Sequence, residues 1–251
     1  MKKIIILFFA ILVFISCKNE PQQLVRIEGK QLPVTDSIAP KNSIESLIKP
    51  YREKVSKEMN AVLSYTPIEL NRLDGEFESS LGNLLADMCY NRANPVFNSR
   101  TGNNIDFALF NFGGIRAGIP KGEITNKHAF QLMPFENSLV VVELTADKIN
   151  ELVEYLIRNK KAHPLSKHVK LQVFKDGYDL KINNSQIDKT KTYFVLTSDY
   201  LQNGGDNMTF FSKPVNLYKT DYKMRSAIID YFTEKDTVIT KKDGRFTWKQ
   251  E

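Results

Sequence analysis

The chain has 251 residues, 42% of them hydrophobic and 25% charged, with a formal net charge of +6 at pH 7. That length and apolar content are enough for one domain with a real core, without internal repeats or low-complexity tracts. The positive surplus is spread among alternating Lys and Glu residues, which excludes the clustered basic stripe of a nucleic-acid binder.

Lys2 and Lys3 precede an unbroken apolar run from Ile4 to Ile15, too short to span a bilayer comfortably, and predict a secretory signal peptide over residues 1–16. The run closes in Phe14-Ile15-Ser16-Cys17, which resembles the lipobox of bacterial lipoproteins, a small residue before the cysteine that is lipidated. Removal of residues 1–16 takes away Lys2 and Lys3 and lowers the formal charge from +6 to +4. Lipidation of Cys17 leaves Cys89 without a partner, so the fold must rely on its core and not on disulfides. The expected location is the bacterial cell envelope, with membrane contact through the lipid anchor at Cys17. Residues 17–41, polar and dotted with Pro21, Pro33 and Pro40, predict a tether ahead of one domain over residues 42–251.

Within that domain, Ile44, Leu47, Ile48, Tyr51, Val55 and Met59 fall on one helix face, with Asn42 as the expected cap. Ala61 to Leu70 reads as a strand. A second helix starts near Ser79, with Leu81, Leu84, Leu85, Met88 and Cys89 inward and Asp87 and Arg92 outward. Asp106 to Asn111 is a short apolar strand that breaks at Gly113-Gly114. Thr125 to Leu132 predicts a short helix and Ser138 to Leu144 a β-branched strand. Thr145 then caps a helix whose face is Ile149, Leu152, Val153, Leu156 and Ile157. Val169 to Phe174, Leu180 to Ile182 and Tyr193 to Ser198 read as strands, the first two joined at Asp176-Gly177. A last helix over Asp221 to Phe232 precedes a closing strand at Arg245 to Trp248. Helices and strands interleave too irregularly for a doubly wound sheet, so the expected class is α+β, a mixed sheet with helices against it.

The candidate chemistry lies in loops. Asn111-Phe112-Gly113-Gly114-Ile115-Arg116 and Tyr200-Leu201-Gln202-Asn203-Gly204-Gly205-Asp206 each follow a strand and each carry a charged side chain. Paired glycines permit positive φ and close approach to a ligand. A Gly-Gly pair alone is a weak signal and fits an ordinary turn, but two such loops together suggest a site. Arg116 offers a planar fork for phosphate or ribose oxygens, and Asp206 an acceptor for a diol. Phe135, in Pro134-Phe135-Glu136-Asn137, is either a core anchor or a stacking platform for a flat base, with Tyr200 as the opposing face. His128, His163 and His168 share no metal-ligand spacing, and no Gly-x-Ser-x-Gly elbow occurs. No cofactor is therefore expected in this chain.

Leu81-Gly82-Asn83-Leu84-Leu85-Ala86-Asp87, the Asn111 to Arg116 loop, Met133 to Asn137 with Val140 to Thr145, and Tyr193 with Tyr200 to Asp206 stand in an order that resembles the C-terminal domain of 5'-nucleotidases. The resemblance runs from about Val55 to the C-terminus. It implies that Phe135 and Tyr200 sandwich a base, with Tyr200 where a Phe is usual. It also implies that Asn111 and Arg116, on the Gly113-Gly114 loop, bind base or sugar-phosphate groups, that Asn137 reaches the base edge, and that Asp206, beside Gly205, holds the ribose diol. Two departures stand out: Phe77 occupies a place where Arg is usual, and Phe112 one where Gly is common. In that family a metal-bearing phosphoesterase domain normally precedes this one. The expectation is thus a nucleotide grip serving a separate exported metallophosphoesterase, which would carry the divalent metals. The alternative is a stand-alone nucleotide- or nucleoside-binding envelope lipoprotein.

Overall fold

A computed structural model describes residues 24–35 and 37–249. The expected signal peptide over residues 1–16 and the expected lipidation site Cys17 lie outside the described residues. The chain divides into two units, Met1–Ile48 and Lys49–Glu251. In the first, residues 24–35 and 37–41 are exposed and carry no helix or strand. Among the described residues no helix is long and apolar enough to cross a membrane.

Helix α1 (Asn42–Met59) begins at Asn42 itself. The first backbone acceptor is the Lys41 carbonyl, which receives the N–H groups of Ile44 and Glu45 at 2.9 and 3.0 Å, so the expected cap lies one residue too late. Its apolar stripe has the spacing of a buried face, yet none of its residues is buried. Strand β1 (Val62–Thr66) is shorter than the expected Ala61 to Leu70 and pairs antiparallel with β3 (Gly122–Thr125), a strand with no expected counterpart.

Helix α2 (Ser80–Thr101) is capped by Ser79, whose hydroxyl accepts the Gly82 N–H at 3.0 Å. A Cβ on Gly82 would meet that oxygen at 2.7 Å, so the glycine of the Leu-Gly-Asn motif keeps the cap open. Asp87 is not a solvated outer residue. It accepts both terminal nitrogens of the buried Arg245 at 3.1 and 3.0 Å, and Asp243 holds the same guanidinium at 2.8 and 2.7 Å.

The main sheet has the order β2 (Phe107–Ala108), β8 (Thr192–Ser198), β4 (Ser138–Thr145), β9 (Asn216–Lys223). Strand β2 is only two residues of the expected six, because beyond it the chain turns off the sheet to bridge Leu165. Strand β9 replaces the first turn of the expected last helix: residues to Lys223 pair with β4, and helix α6 (Met224–Glu234) starts only after them. Long-range pairing here overrides local helix propensity. Leu139, Val141, Val142 and Leu144 of β4 are fully buried, as expected for a strand covered on both faces. Helix α3 (Asn126–Leu132) and helix α4 (Ala146–Asn159) follow the expected bounds closely, the latter with Thr145 as cap.

A second sheet has the order β10 (Phe246–Trp248), β5 (Val169–Phe174), β6 (Gly177–Ile182), β7 (Ser185–Gln186). The turn between β6 and β7 is Asn183-Asn184, with both φ values positive, at 51° and 63°. Phe77 packs on Phe246 and Trp248, at ring-centroid distances of 5.2 and 5.6 Å. The overall class is the expected α+β.

Replacing Arg245 with Met should destabilise the domain by about 3–5 kcal/mol, because Asp87 and Asp243 lose their shared buried cation. Urea unfolding measures this, and a loss below about 1 kcal/mol would contradict the role given to the pair.

Candidate functional site

Four chain segments meet at one edge of the main sheet. Ala108 of β2 lies opposite Leu196 of β8, Leu139 of β4 opposite Ser198, and Ser138 opposite Lys223 of β9. These pairings place the ends of β2, β8 and β9 beside the start of β4. The segments that leave there are the loop 109–116, helix α5 (Asp199–Gln202) with its following turn, the loop 133–137, and the start of α6. Between them lies a cleft of about 270 Å³ lined by Asn111, Gly113, Gly114, Arg116, Phe135, Asn137, Tyr200 and Asp206. The structure thus brings together every residue singled out in these loops except Gly205, which lies directly behind Tyr200.

Asp206 joins the two glycine loops. Its Oδ2 accepts Asn111 Nδ2 at 2.7 Å and its Oδ1 accepts the Tyr200 hydroxyl at 2.9 Å. The bond to Asp206 raises the Tyr200 phenol above its ordinary pKa. Asp206 stands in the left-handed region at φ 51°, a conformation that Asp tolerates better than most residues. The expected positive φ at Gly113 and Gly114 is not found, since Phe112–Gly114 is a single 3₁₀ turn. Those glycines matter through the missing side chain: a Cβ on Gly114 would stand 2.7 Å from Asn111 Oδ1. A Cβ on Gly205 would lie 2.5 Å from the Tyr200 ring, so that ring rests against bare backbone.

Phe135 and Tyr200 are 42% and 46% exposed, which rules out the core-anchor reading of Phe135. The Arg116 guanidinium lies 5.8 Å from the centre of the Phe135 ring.

Several supports had no sequence signal. His163, 6% exposed, accepts the Phe112 N–H at Nδ1 at 3.1 Å from beneath the first glycine loop. Its ring lies 5.6 Å from that of Tyr155, whose hydroxyl donates to the Asp206 carbonyl at 2.9 Å. Arg72 stacks on Phe112 at 4.7 Å and donates to the Phe112 and Ile115 carbonyls. Phe112 thereby anchors its loop, which accounts for a side chain at that place. Burial pushes the His163 imidazole down to about 4, against the opposing pull of Asp206. The other two histidines also have local tasks. His128 Nδ1 accepts the Thr125 N–H at 3.0 Å, and His168 stacks on Tyr90 at 3.8 Å. Among the described residues, no three His, Cys, Asp or Glu side chains are grouped so as to hold a metal ion.

The family model for the 5'-nucleotidase C-terminal domain matches residues 69–213, which contain the entire cleft lining. The chain belongs to this family. Similar proteins include Protein UshA of Escherichia coli (strain K12), 28% identical over 88% of this chain and 40% of that protein. Another is the trifunctional nucleotide phosphoesterase protein YfkN of Bacillus subtilis (strain 168), 28% identical over 72% of this chain and 13% of that protein. The 5'-nucleotidase precursor from Thermus thermophilus shares the fold with a TM-score of 0.68 and 24% identity, over 85% of this chain and 44% of that one. The chain therefore spans less than half the length of these relatives. In this 5'-nucleotidase C-terminal domain, Phe77 sits in the aromatic cluster with Trp248, and Arg116 is the cation that lines the cleft.

Gly205→Ala should leave the fold within about 1 kcal/mol of the wild type, because the exposed Tyr200 ring can swing away. It should also abolish whatever ligand binding depends on that ring. Thermal melting and ligand titration test the pair of outcomes, and unchanged binding would refute the stacking role.

His163 should also confer acid sensitivity. Its folded-state pKa of about 4 lies below the ordinary 6.5, so the unfolded chain binds the proton first as pH falls. Stability is full above pH 6.5 and falls by about 3 kcal/mol toward pH 4 on this account. His163→Asn keeps an acceptor for Phe112, and the wild-type-minus-variant difference should carry that slope. A pH-independent difference would remove the claim.

Proposed function

We propose that this domain is the nucleotide-binding half of a split phosphohydrolase of nucleotide catabolism. The cleft grips base and ribose, and a separate exported metallophosphoesterase hydrolyses the phosphate ester. The observation that carries this reading is the convergence of two exposed rings, two amides, one guanidinium and one carboxylate in a single cleft. A base stacked on Phe135 or Tyr200 gains about 1–3 kcal/mol per ring. Each Asp206 oxygen accepts one protein bond and keeps a further lone pair for a ribose hydroxyl. In this scheme Asn137, from the cleft lining, meets the base edge and Arg116 the sugar or phosphate oxygens. These groups contribute binding and orientation. Any divalent metal that activates water belongs to the partner in this scheme. The nucleotide phosphoesterase relatives support the reading. We further propose export by the signal sequence of residues 1–16 and anchoring at Cys17, supported by the charged start, apolar run and small-residue-Cys junction.

A second reading, a stand-alone nucleotide- or nucleoside-binding envelope lipoprotein, is favoured by one observation. Arg72, Lys223 and Arg225 are committed to loop carbonyls, and Arg116, the one cation among the lining residues, itself reaches the Gly113 carbonyl at 3.5 Å.

Calorimetry on the mature chain should show AMP binding that Phe135→Ala or Tyr200→Ala weakens roughly 10-fold or more. Adding the co-exported metallophosphoesterase should produce AMP hydrolysis that neither protein shows alone. Tight binding without any such gain would establish the second reading, and absence of both binding and gain would defeat the proposal. Cys17→Ala should move the protein from the membrane to the soluble fraction, and persistent membrane association would defeat the anchor.

A further inference from the structure

The segment 133–137 carries Phe135 and Asn137 between α3 and β4 without a helix or strand of its own. It is held from outside, by residues at the junction of β9 and α6. Arg225 Nη1 lies 3.2, 3.1 and 3.5 Å from the carbonyl oxygens of Met133, Pro134 and Phe135, donating to this run of three. Its Nη2 forms an ion pair with Glu136. The guanidinium carbon lies 4.3 Å from the centre of the Phe130 ring, so the group is braced against α3 while its edge faces the loop. Lys223 Nζ adds bonds to the Glu136 carbonyl at 2.8 Å and the Ser138 hydroxyl at 3.0 Å.

Arg225 is 14% exposed in its side chain, whereas Phe135 as a whole residue is 42% exposed. Phe135 is thus partly open to solvent, and the set of its ring depends on the backbone that carries it as well as on packing. A guanidinium presents several N–H donors in one plane, which suits a row of carbonyls beside a carboxylate. The compact charge of a lysine does not reproduce that fork.

We infer that Arg225 is a positioning residue that sets Phe135 as the stacking surface of the cleft, acting through the loop backbone and not by receiving an anionic group of the ligand. The inference rests on the reading of the cleft as a base-binding site.

The test is a double-mutant cycle on the mature full chain with AMP as the probe, together with amide exchange on residues 135–138. Arg225→Met should weaken AMP binding about 10-fold, as should Phe135→Ala. The double variant should bind no more than about 2-fold worse than Phe135→Ala, because both changes remove one contribution. Arg225→Lys keeps the charge and loses the fork, and should behave like Arg225→Met. Exchange at residues 135–138 should speed up at least 10-fold in both Arg225 variants. Additive losses in the cycle, wild-type affinity in Arg225→Lys, or unchanged exchange would each overturn the inference. If Arg225→Met does not fold, Glu136→Gln loosens the same latch from its exposed side. Its loss must likewise vanish in the Phe135→Ala background, and an additive loss overturns the inference. Failure of the wild type to bind AMP would fall on the base-site reading alone, while the exchange result would still decide whether Arg225 holds the loop.

Discussion

Strand β8 runs between a parallel neighbour, β2, and an antiparallel one, β4, and the register of those two pairings governs the site. Ala108 opposite Leu196 and Leu139 opposite Ser198 bring two strand ends and one strand start to the same edge. The pairing of Ser138 with Lys223 adds the end of β9. A slip of one residue would move every side chain of the slipped strand to its opposite face. It would also separate Asn111, Phe135 and Tyr200, which lie far apart in the chain and meet only because the strands before or after them end together.

Above that edge, Asp206 does for the loops what β8 does for the strands. One carboxylate holds the amide of the first glycine loop and the phenol of its own loop. From below, Tyr155 holds the Asp206 carbonyl and His163 holds the Phe112 N–H. Removing the Asp206 carboxylate would therefore release both Asn111 and Tyr200, so the two glycine loops are mechanically coupled here. The Tyr200 hydroxyl makes this coupling possible.

The basic residues near the cleft are used mainly as backbone clamps. Arg72 closes the first glycine loop and Arg225 with Lys223 closes the Phe135 loop. Each fixes a loop that has no ladder of its own by bonding to its carbonyls. Of the residues lining the cleft, Arg116 and Asp206 carry the charge, with opposite signs.

Helix α4 could be read from its spacing and cap, and so could α3 and β4, because a helix face or a buried β-branched run is written in residues a few positions apart. The cleft residues could be named from glycine pairs, a Pro-fixed aromatic and the family pattern. What escaped reading depends on distant partners. Residues 221–223 have a helical look but are drawn into β9 by β4, β3 forms only against β1, and Asp87 turns inward to Arg245 from the end of the chain and to the Lys167 N–H. Arg225 has no local mark, since the loop it clamps lies 91 residues away in sequence at Pro134. Local spacing records which faces seek burial; it does not record which chain ends the sheet register will bring together, and the joint at Asp206 and the latch at Arg225 both arise from that meeting.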